Sequence, residues 1–455
     1  MGQGRPVGRS GDNGTVSELP RRALSRTVKL AGLPLGMAGR AAVGVGKRIG
    51  GQPAEQVALE LQRRTAEQLF QVLGELKGGA MKVGQALSVL EPALPEEFAG
   101  PYRATLNRLQ ESAPPMPAES VRTLLAEQLG VQWRRKFEDF EERPVAAASI
   151  GQVHRATWHD GTPVAVKLQY PGAGPALMGD VRRLGQVARV TAGWVPGLNL
   201  GPLLAELEDR LEEELDYRLE ARRQRAFAQA YEGDPNVFIP QALFQKGTVL
   251  VSQWVPGRPL ADVIARGEPA DRDLAAARYL EFLFSAPVRA RFLHADPHPG
   301  NFRILDDGRL GVMDFGAVGA MPHGVPPAMG EALRHALDRD ADGLLDELRR
   351  EGFVRSGVDV APDRLLGFLE PFTDPIREER FTFTRAWMGA QGSRLRDPRQ
   401  EDFGLGLKLN LPPEYLLLHR VWAGGLGVLC QLHGTVAARE MAYEWLPGLA
   451  DEPSA

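Results

Sequence analysis

Three side chains that can bind a metal or move a proton lie in the stretch FLHADPHPGNFRILDDGRLGVMDFGAVGAM, residues 292–321. Asp296 comes five residues before Asn301, and Asp314 follows Asn301 by thirteen residues in an Asp-Phe-Gly triplet. Carboxylate and amide oxygens are the ligands that Mg²⁺ prefers, and a carboxylate can orient or deprotonate an attacking hydroxyl. The spacing fits either a set of turn-formers or half of a phosphoryl-transfer site, in which Asn301 and Asp314 would bind the metal and Asp296 would be the catalytic group. Both interpretations stay open from this stretch alone.

Phosphoryl transfer also needs a phosphate cradle and a lysine, and residues 145–170 offer both. Two strand-forming runs flank Asp160-Gly161, a dipeptide that favours a tight hairpin turn. Lys167 lies on the second run, in VAVKLQY. On the first, AAASIGQV has alanine at the first two glycine positions of the pattern G-x-G-x-x-G-x-V. An ordinary hairpin of small residues is the alternative for this segment taken alone. The functional interpretation assigns phosphate contacts to Ala146, Ala147, Ala148, Ser149, Gly151 and Val153.

A lysine that binds phosphate also needs a carboxylate to hold it. We predict that Glu214, in a long charged helix with a leucine stripe, is the partner of Lys167. Glu212, Glu213 and Glu220 belong to the same segment, so the helix alone does not single out Glu214. A solvated acidic face would explain all four glutamates.

Composition indicates an ordinary globular protein with more than one lobe. Of its residues, 43% are hydrophobic and 25% are charged, as in an ordinary soluble protein. Its length of 455 residues exceeds what one hydrophobic core usually supports. Its single cysteine, Cys430, lies in an apolar run and is expected to be buried. One cysteine excludes an internal disulfide and a cysteine zinc site, which fits a reducing cytoplasm.

The charge is unevenly distributed along the chain. Residues 1–50 carry nine Lys/Arg and two acidic residues, a net charge of +7, whereas the whole chain carries −4. Such an arm predicts an anionic partner. Nucleic acid is not expected, because the arm has no aromatic residue to stack on bases. We expect peripheral contact with an anionic membrane surface, since the apolar run 30–39 is too short to span a bilayer. A flexible arm packed on the body is the alternative.

Strand patterns are concentrated before Pro256-Gly257, and helical patterns dominate after it. We therefore predict an α+β fold with two lobes. The predicted divisions are a basic, partly disordered arm (1–50), a helical extension (51–115), a strand-containing lobe (116–256) and a helical lobe with the catalytic and metal loops (257–455).

Taken in order, these motifs resemble the UbiB (AarF) family of atypical protein-kinase-like proteins, over about residues 27–440. The most specific marks are Lys82-Val83-Gly84-Gln85 as K-x-G-Q, AAAS in place of a glycine loop, Glu214-Leu215-Asp216 as E-x-D, and HADPHPGNF. Two departures from ordinary kinases agree with this resemblance. Ala295 stands where H-R-D has arginine, and no A-P-E follows the Asp-Phe-Gly triplet.

The resemblance implies a two-lobed protein-kinase-like fold whose N-terminal extension carries K-x-G-Q and folds over the active site. It implies that Lys82 and Gln85 reach toward the nucleotide region near Glu214 and Asp216. It also implies binding of ATP or ADP with Mg²⁺ (or Mn²⁺) and a link to isoprenoid-quinone (ubiquinone) and lipid metabolism. The expected location is the cytoplasm, as a peripheral protein on the cytoplasmic membrane face.

Three functions remain open from the sequence. The first is a metal-dependent ATPase or unorthodox phosphotransferase with an unknown acceptor. The second is a nucleotide-sensing pseudokinase scaffold, motivated by the alanine-rich loop and the occluding extension. The third is a small-molecule kinase of the aminoglycoside or choline type, which shares H-x-D-x-x-x-x-N but does not account for K-x-G-Q.

Overall fold

A computed structural model of the chain describes residues 115–148, 150–175, 178–179, 211–396, 401–406 and 408–450. The predicted basic arm (1–50) and the predicted extension up to residue 114 lie outside these residues. Lys82, Gln85 and Ser149 lie outside them too. Their predicted roles therefore stay predictions.

The chain divides into two compact units, Met1–Met116 with Ala146–Gln152 and Gln169–Glu212, and Pro117–Val145 with Val153–Leu168 and Glu213–Ala455. In the first unit, the described residues include a short strand at Ala146–Ala148 and a hydrogen bond from Tyr170 N to Ile150 O (2.9 Å). The second unit holds the lysine, the helices and the loops described below.

An antiparallel sheet carries Lys167. Its strands lie in the order β1-β3-β4-β7-β6. Burial alternates along β4, with Val164, Val166 and Leu168 fully buried, so Lys167 points to the opposite face. The predicted hairpin turn at Asp160-Gly161 is confirmed, because Gly161 has φ 83° and Thr162 N donates to Asp160 Oδ1 (3.0 Å). The first elements are α1 (Ala118–Leu129), β1 (Phe137–Phe140), β2 (Ala146–Ala148), β3 (Gly151–Trp158) and β4 (Pro163–Gln169); β5 (Val237–Phe238), β6 (Ala242–Lys246) and β7 (Val249–Gln253) come later.

Helix α2 (Tyr217–Ala230) lies between β4 and β5 in the chain and faces the sheet. The sequence pattern predicts one long helix here, but the structure ends the helical residues 211–215 before Asp216 and starts α2 after it. Asp216 has non-helical dihedrals (φ −91°, ψ 86°), and its Oδ1 accepts from Arg218 N (2.9 Å) and Leu219 N (3.1 Å). This N-cap fixes where α2 begins and therefore which residues form its buried face.

Helices dominate the rest of the described chain. Their core is built around the helices Pro269–Arg289 (α4) and Pro413–Leu432 (α11), where Cys430 is buried as predicted. Among the described residues, no helix is long and apolar enough to cross a membrane. The elements are β8 (Arg258–Pro259), α3 (Leu260–Arg266), α4 (Pro269–Arg289), β9 (Phe292–His294), β10 (Phe302–Ile304), β11 (Leu310–Val312), β12 (Val318–Ala320), α5 (Ala328–Asp338), α6 (Ala341–Arg350), α7 (Pro362–Leu369), α8 (Asp374–Arg377), β13 (Phe381–Thr382), α9 (Arg385–Arg396), α10 (Glu401–Gly406), α11 (Pro413–Leu432), β14 (Thr435–Val436) and α12 (Ala438–Trp445).

Two short strand pairs hold the loops of residues 292–321. Strand β10 pairs with β11 in an antiparallel hairpin, and Gly308 in its turn has φ 84°, as the sequence Asp306-Asp307-Gly308 predicts. Strand β9 pairs with β12 and places His294 opposite Val318. The loop that contains Asp296 thus leaves β9, and the loop that contains Asp314 leaves β11 toward β12.

Candidate functional site

Lys167 forms the centre of a cluster of charged groups. Its Nζ lies 2.8 Å from Glu220 Oε1 and 3.1 Å from Glu220 Oε2. The same Nζ lies 3.3 Å from Asp314 Oδ2. Glu220 is almost fully buried, with 2% of its side chain exposed, whereas 43% of the Asp314 side chain is exposed. The cluster therefore has a buried end at Glu220 and an open end at Asp314.

The partner of Lys167 in this structure is Glu220, so the prediction of Glu214 is corrected. The reason is the cap at Asp216. Helix α2 begins after it, and the buried face of α2 carries Tyr217, Glu220 and Ala221. Glu214 precedes the cap but stays close to the site, since a Cβ placed on Gly316 would lie 3.6 Å from Glu214 Cγ. The missed signal was the position of Glu220, one turn inside a helix that Asp216 caps.

Burial and charge act against each other in this cluster. Burial would lower the pKa of Lys167, but the carboxylates of Asp314 and Glu220 outweigh it and raise that pKa well above its ordinary value. Burial raises the pKa of Glu220 to about 7, although Lys167 attracts the ionised form. The nearby carboxylate of Asp314 contributes to this raised pKa. Lys167 thus stays charged at neutral pH, while Glu220 can take up a proton near it.

Asp314 is held in a conformation that is uncommon for a residue other than glycine, with φ 59°. Its Oδ1 accepts from Gly316 N (3.1 Å). Its carbonyl oxygen accepts from Nε2–H of the buried His294 (2.8 Å), which must be the donor because a carbonyl only accepts. These two bonds over-determine the backbone and fix the direction of the Asp314 side chain.

The residue after Asp314 is anchored in an aromatic cluster. Phe315 is fully buried, and its ring centroid lies 5.1 Å from that of Phe227 and 5.6 Å from that of His294. Phe227 lies on α2, the helix that also carries Glu220. The Asp-Phe-Gly turn and the partner of Lys167 are therefore positioned by the same helix.

A second contact from α2 reaches the same turn. Arg223 Nη1 donates to Gly316 O (3.1 Å), and its Nη2 donates to Glu213 Oε2 (2.8 Å). The guanidinium thereby joins Glu213, α2 and the Asp-Phe-Gly turn, and Glu213 directly precedes the E-x-D segment. Asp216 serves here as a helix cap, and its predicted contact with nucleotide stays a prediction.

Asn301 lies next to Asp314 across the β10–β11 hairpin. Met313 N donates to Asn301 O (2.8 Å), directly beyond the pair Phe302–Val312. The Asn301 amide nitrogen donates to Asp296 O (3.2 Å), so its oxygen is the group left to act as a ligand. Asn301 thus joins the metal loop to the loop that carries Asp296.

The loop around Asp296 is braced from the helical side. The hydroxyl of the buried Tyr279 on α4 donates to Pro297 O (2.8 Å). Gly424 on α11 allows close packing, since a Cβ there would lie 2.9 Å from Pro297 Cγ. His298 Nδ1 accepts from Gly300 N (3.1 Å), a hydrogen bond within the loop. The predicted catalytic Asp296 therefore lies on a supported loop.

The alanine-rich segment has an extended backbone. Ala146, Ala147 and Ala148 form strand β2, Gly151 begins β3, and Val153 lies on β3. Val145 N, just before β2, donates to Val153 O on β3 (2.8 Å), so these two parts of the chain lie side by side. The predicted contact of these residues with phosphate stays a prediction.

Asn301 and Asp314 offer oxygen ligands of the kind that Mg²⁺ takes. Among the described residues, no group of three or more His, Cys, Asp or Glu side chains is placed to hold a metal. Mg²⁺ is commonly bound by one or two protein ligands, with phosphate oxygens and water supplying the rest. Asp314 lies 3.3 Å from the charged Lys167 Nζ, and Asn301 lies across the β10–β11 hairpin from Met313. These two oxygen donors fit a metal that is bound together with a nucleotide.

The chain is similar to a known protein family and to several known proteins. The ABC1 atypical kinase-like domain family matches residues 108–348. The mitochondrial atypical kinase COQ8B of Rattus norvegicus is 29% identical over 445 residues, which cover 94% of this chain and 81% of the rat protein. The mitochondrial atypical kinase coq-8 of Caenorhabditis elegans is 30% identical over 300 residues. That match covers 63% of this chain but only 38% of the worm protein.

A solved structure is similar as well. The complex of Rv3197 with erythromycin from Mycobacterium tuberculosis has a TM-score of 0.70 and 42% sequence identity, and the match covers 88% of this chain and 100% of that chain.

The fold and the charged cluster define a kinase-like protein of α+β architecture, which confirms the predicted fold class. Because the family match covers more than half of its residues, the chain belongs to the ABC1 (UbiB, AarF) family of atypical kinase-like proteins.

Proposed function

We propose that this protein binds ATP or ADP together with Mg²⁺ (or Mn²⁺) and is an ATPase or unorthodox phosphotransferase. The observation that carries the proposal is the cluster in which Lys167 Nζ lies 2.8 Å from the buried Glu220 and 3.3 Å from the exposed Asp314. Such a lysine presents a fixed positive charge beside a carboxylate that can hold a cation. Relatives named as atypical kinases support the same class of activity.

Each residue has a role that follows from its contacts. Lys167, held by Glu220, would bind phosphate oxygens of the nucleotide. Asp314 and Asn301 would hold the metal, which when bound neutralises charge on the phosphates. Asp296, on a loop braced by Tyr279, would orient the attacking hydroxyl or water.

The place of action is part of the proposal. The family resemblance links such proteins to isoprenoid-quinone metabolism, and the rat and worm relatives are named as mitochondrial. The basic residues 1–50, with a net charge of +7, would attract anionic lipid. We therefore propose peripheral contact with a membrane surface. Loss of binding to anionic vesicles on deleting residues 1–50 tests this, and unchanged binding would refute it.

The central test measures binding and turnover in parallel. Thermal-shift titrations with MgADP and MgATP are combined with phosphate release, with and without anionic vesicles, on the wild type, Asp314→Asn and Lys167→Ala. A ligand that binds only the folded state stabilises it by about 2.7 kcal/mol at one hundred times Kd. We expect a metal-dependent shift and phosphate release, both lost in Asp314→Asn. No shift with either nucleotide would contradict the proposal.

A scaffold that senses nucleotide is the alternative within the same assay. The substitution of alanine for glycine in AAAS motivates it, because alanine stiffens a phosphate-binding loop. A metal-dependent shift without phosphate release under any lipid condition would favour the scaffold. A phosphorylated small molecule among the products would favour a kinase of the aminoglycoside or choline type.

Binding of a macrolide is a second candidate function. The M. tuberculosis protein, 42% identical to this chain, was solved as a complex with erythromycin. We propose a thermal-shift titration of this protein with erythromycin, in the presence and absence of MgADP. A saturable rise in melting temperature would support macrolide binding. No rise up to the solubility limit of erythromycin would exclude this candidate function.

A further inference from the structure

Tyr217 lies against the charged cluster, on the buried face of α2. It is the first residue of α2, and only 1% of it is exposed. Lys167 Nζ lies 5.3 Å from the centroid of its ring, in a cation–π arrangement. The ring therefore helps to hold the ammonium group while its hydroxyl lies in the interior.

That hydroxyl is buried and has no hydrogen-bond partner among the residues that the structure describes. Buried polar groups in folded proteins are nearly always hydrogen-bonded, so an unpaired one requires an explanation. Two other buried tyrosines show the ordinary arrangement. Tyr279 donates to Pro297 O (2.8 Å), and the Tyr231 hydroxyl lies 2.7 Å from Ser285 Oγ.

The surroundings of the Tyr217 hydroxyl favour the protonated form. Burial raises the pKa of Tyr217, and the carboxylates of Glu220, Asp314 and Glu214 raise it further, against the effect of Lys167. The group is therefore an O–H donor at neutral pH, placed among the charges that define the site. The cluster is open to solvent at Asp314, since 43% of that side chain is exposed.

We propose that the Tyr217 hydroxyl is a ligand-binding group that donates to an oxygen of the bound nucleotide–metal complex. The oxygen belongs to a phosphate group or to water bound to the metal. This inference rests on the proposed function. It adds a third group from α2, beside Glu220 and Arg223, that acts at the site.

The competing explanation is structural. A buried water that is present without ligand could accept from Tyr217 and support the fold. The two explanations differ in what removal of the hydroxyl does to the ligand-free protein. A structural bond is lost on removal, whereas an unpaired buried hydroxyl can be removed without loss or with a gain in stability.

The experiment compares Tyr217→Phe with the matched control Tyr231→Phe. Each variant loses one buried hydroxyl, but that of Tyr231 is already paired with Ser285 and lies outside the site. Urea unfolding without ligand gives stability, and calorimetric titration gives the Kd for MgADP. We expect Tyr217→Phe to be as stable as the wild type or more so and to bind MgADP about ten-fold more weakly. Tyr231→Phe should be less stable, with an unchanged Kd.

The outcomes separate this inference from the proposed function. If the wild type does not bind MgADP, the proposed function fails. If the wild type binds and Tyr217→Phe binds equally well, only the inference fails. Loss of stability in ligand-free Tyr217→Phe, with an unchanged Kd, would assign the hydroxyl to the fold instead.

A metal-free arm identifies the accepting oxygen. The titrations are repeated with ADP in the presence of EDTA. A defect of Tyr217→Phe that persists without metal indicates a phosphate oxygen. A defect that appears only with Mg²⁺ indicates water bound to the metal. Both results support the proposal, whereas equal affinities of wild type and variant in both arms overturn it.

Discussion

Two buried ion pairs in this protein differ in how completely their polar atoms are satisfied. Asp234 pairs with Arg289, and its Oδ1 also accepts from Asn236 N (2.8 Å) and Val237 N (2.7 Å). Burial would raise the pKa of Asp234, but the bonds from Arg289 and these backbone amides hold it below its ordinary value. This pair joins α4 to the turn that follows α2 and leaves the carboxylate well supplied with donors.

The pair Lys167–Glu220 has the opposite character. The pKa of Glu220 is raised to about 7, a second carboxylate shares the lysine, and a buried hydroxyl beside it lacks a partner in the described structure. A saturated pair supports a fold, whereas a pair with perturbed pKa values and unmet hydrogen bonds is characteristic of a site that receives a ligand. On the proposed function, the difference separates a structural ion pair from one that binds a ligand.

The largest expected effect is on the structural pair. Arg289→Met leaves Asp234 charged and buried without its cation, which costs about 3–5 kcal/mol of stability. Urea unfolding of the ligand-free protein measures this. The affinity of the folded variant for MgADP should match that of the wild type. A loss of stability below about 1 kcal/mol would show that the pair does not support the fold as described.

Lys167→Met should affect stability less and binding more. Without the lysine, the pKa of Glu220 rises above its present value of about 7, so the buried carboxyl is neutral at pH 6 and leaves no unpaired charge. We expect the free energy of unfolding to fall by about 1–2 kcal/mol at pH 6 and MgADP binding to become unmeasurable. Urea unfolding and calorimetric titration check the two parts. MgADP binding as tight as in the wild type would show that Lys167 does not bind the nucleotide.

The pH dependence of stability should identify Glu220. Its folded pKa of about 7 exceeds the ordinary value of 4.5, so the folded state keeps this proton longer than the unfolded state does. The contribution of Glu220 to stability is therefore present below about pH 4.5 and falls as pH rises toward 7, by at most about 1.4 kcal/mol per pH unit. The free energy of unfolding of the wild type, minus that of Glu220→Gln, should decline across this window. A flat difference would contradict the assignment.

An exposed ion pair gives the smallest expected effect. Arg258 and Asp271 lie 2.9 Å apart, with 38% and 49% of their side chains exposed. Exposed pairs contribute about 0–1 kcal/mol. Arg258→Ala should therefore change the urea midpoint little, which makes it the baseline for the other variants. A loss of stability as large as that of Arg289→Met would contradict the conclusion that buried ion pairs stabilise this fold more than exposed ones.

Local sequence signals predicted the turns of the site well. Asp160-Gly161 and Asp306-Asp307-Gly308 each give the expected hairpin, because a glycine is needed at positive φ. The spacing of Asp296, Asn301 and Asp314 was also informative, because these residues flank one hairpin. Asp296 and Asn301 precede β10, and Asp314 follows β11.

Tertiary contacts were less predictable. Four glutamates precede or enter α2, and the helical pattern alone does not distinguish the one that contacts Lys167. The choice of Glu220 depends on the break at Asp216, where a side-chain cap overrides a continuous helical pattern. The contact of Arg223 with Gly316 joins residues 93 apart in sequence and carries no short-range signal.

The measurement that tests the central claim most directly is calorimetric titration of MgADP into the wild type and Asp314→Asn at pH 7.5. The exposed carboxylate of Asp314 is the group that links Lys167 to the predicted metal. The account predicts one MgADP per chain for the wild type and binding at least about ten-fold weaker for Asp314→Asn. Equal affinity in the two proteins would place nucleotide binding elsewhere and contradict the assignment of this site.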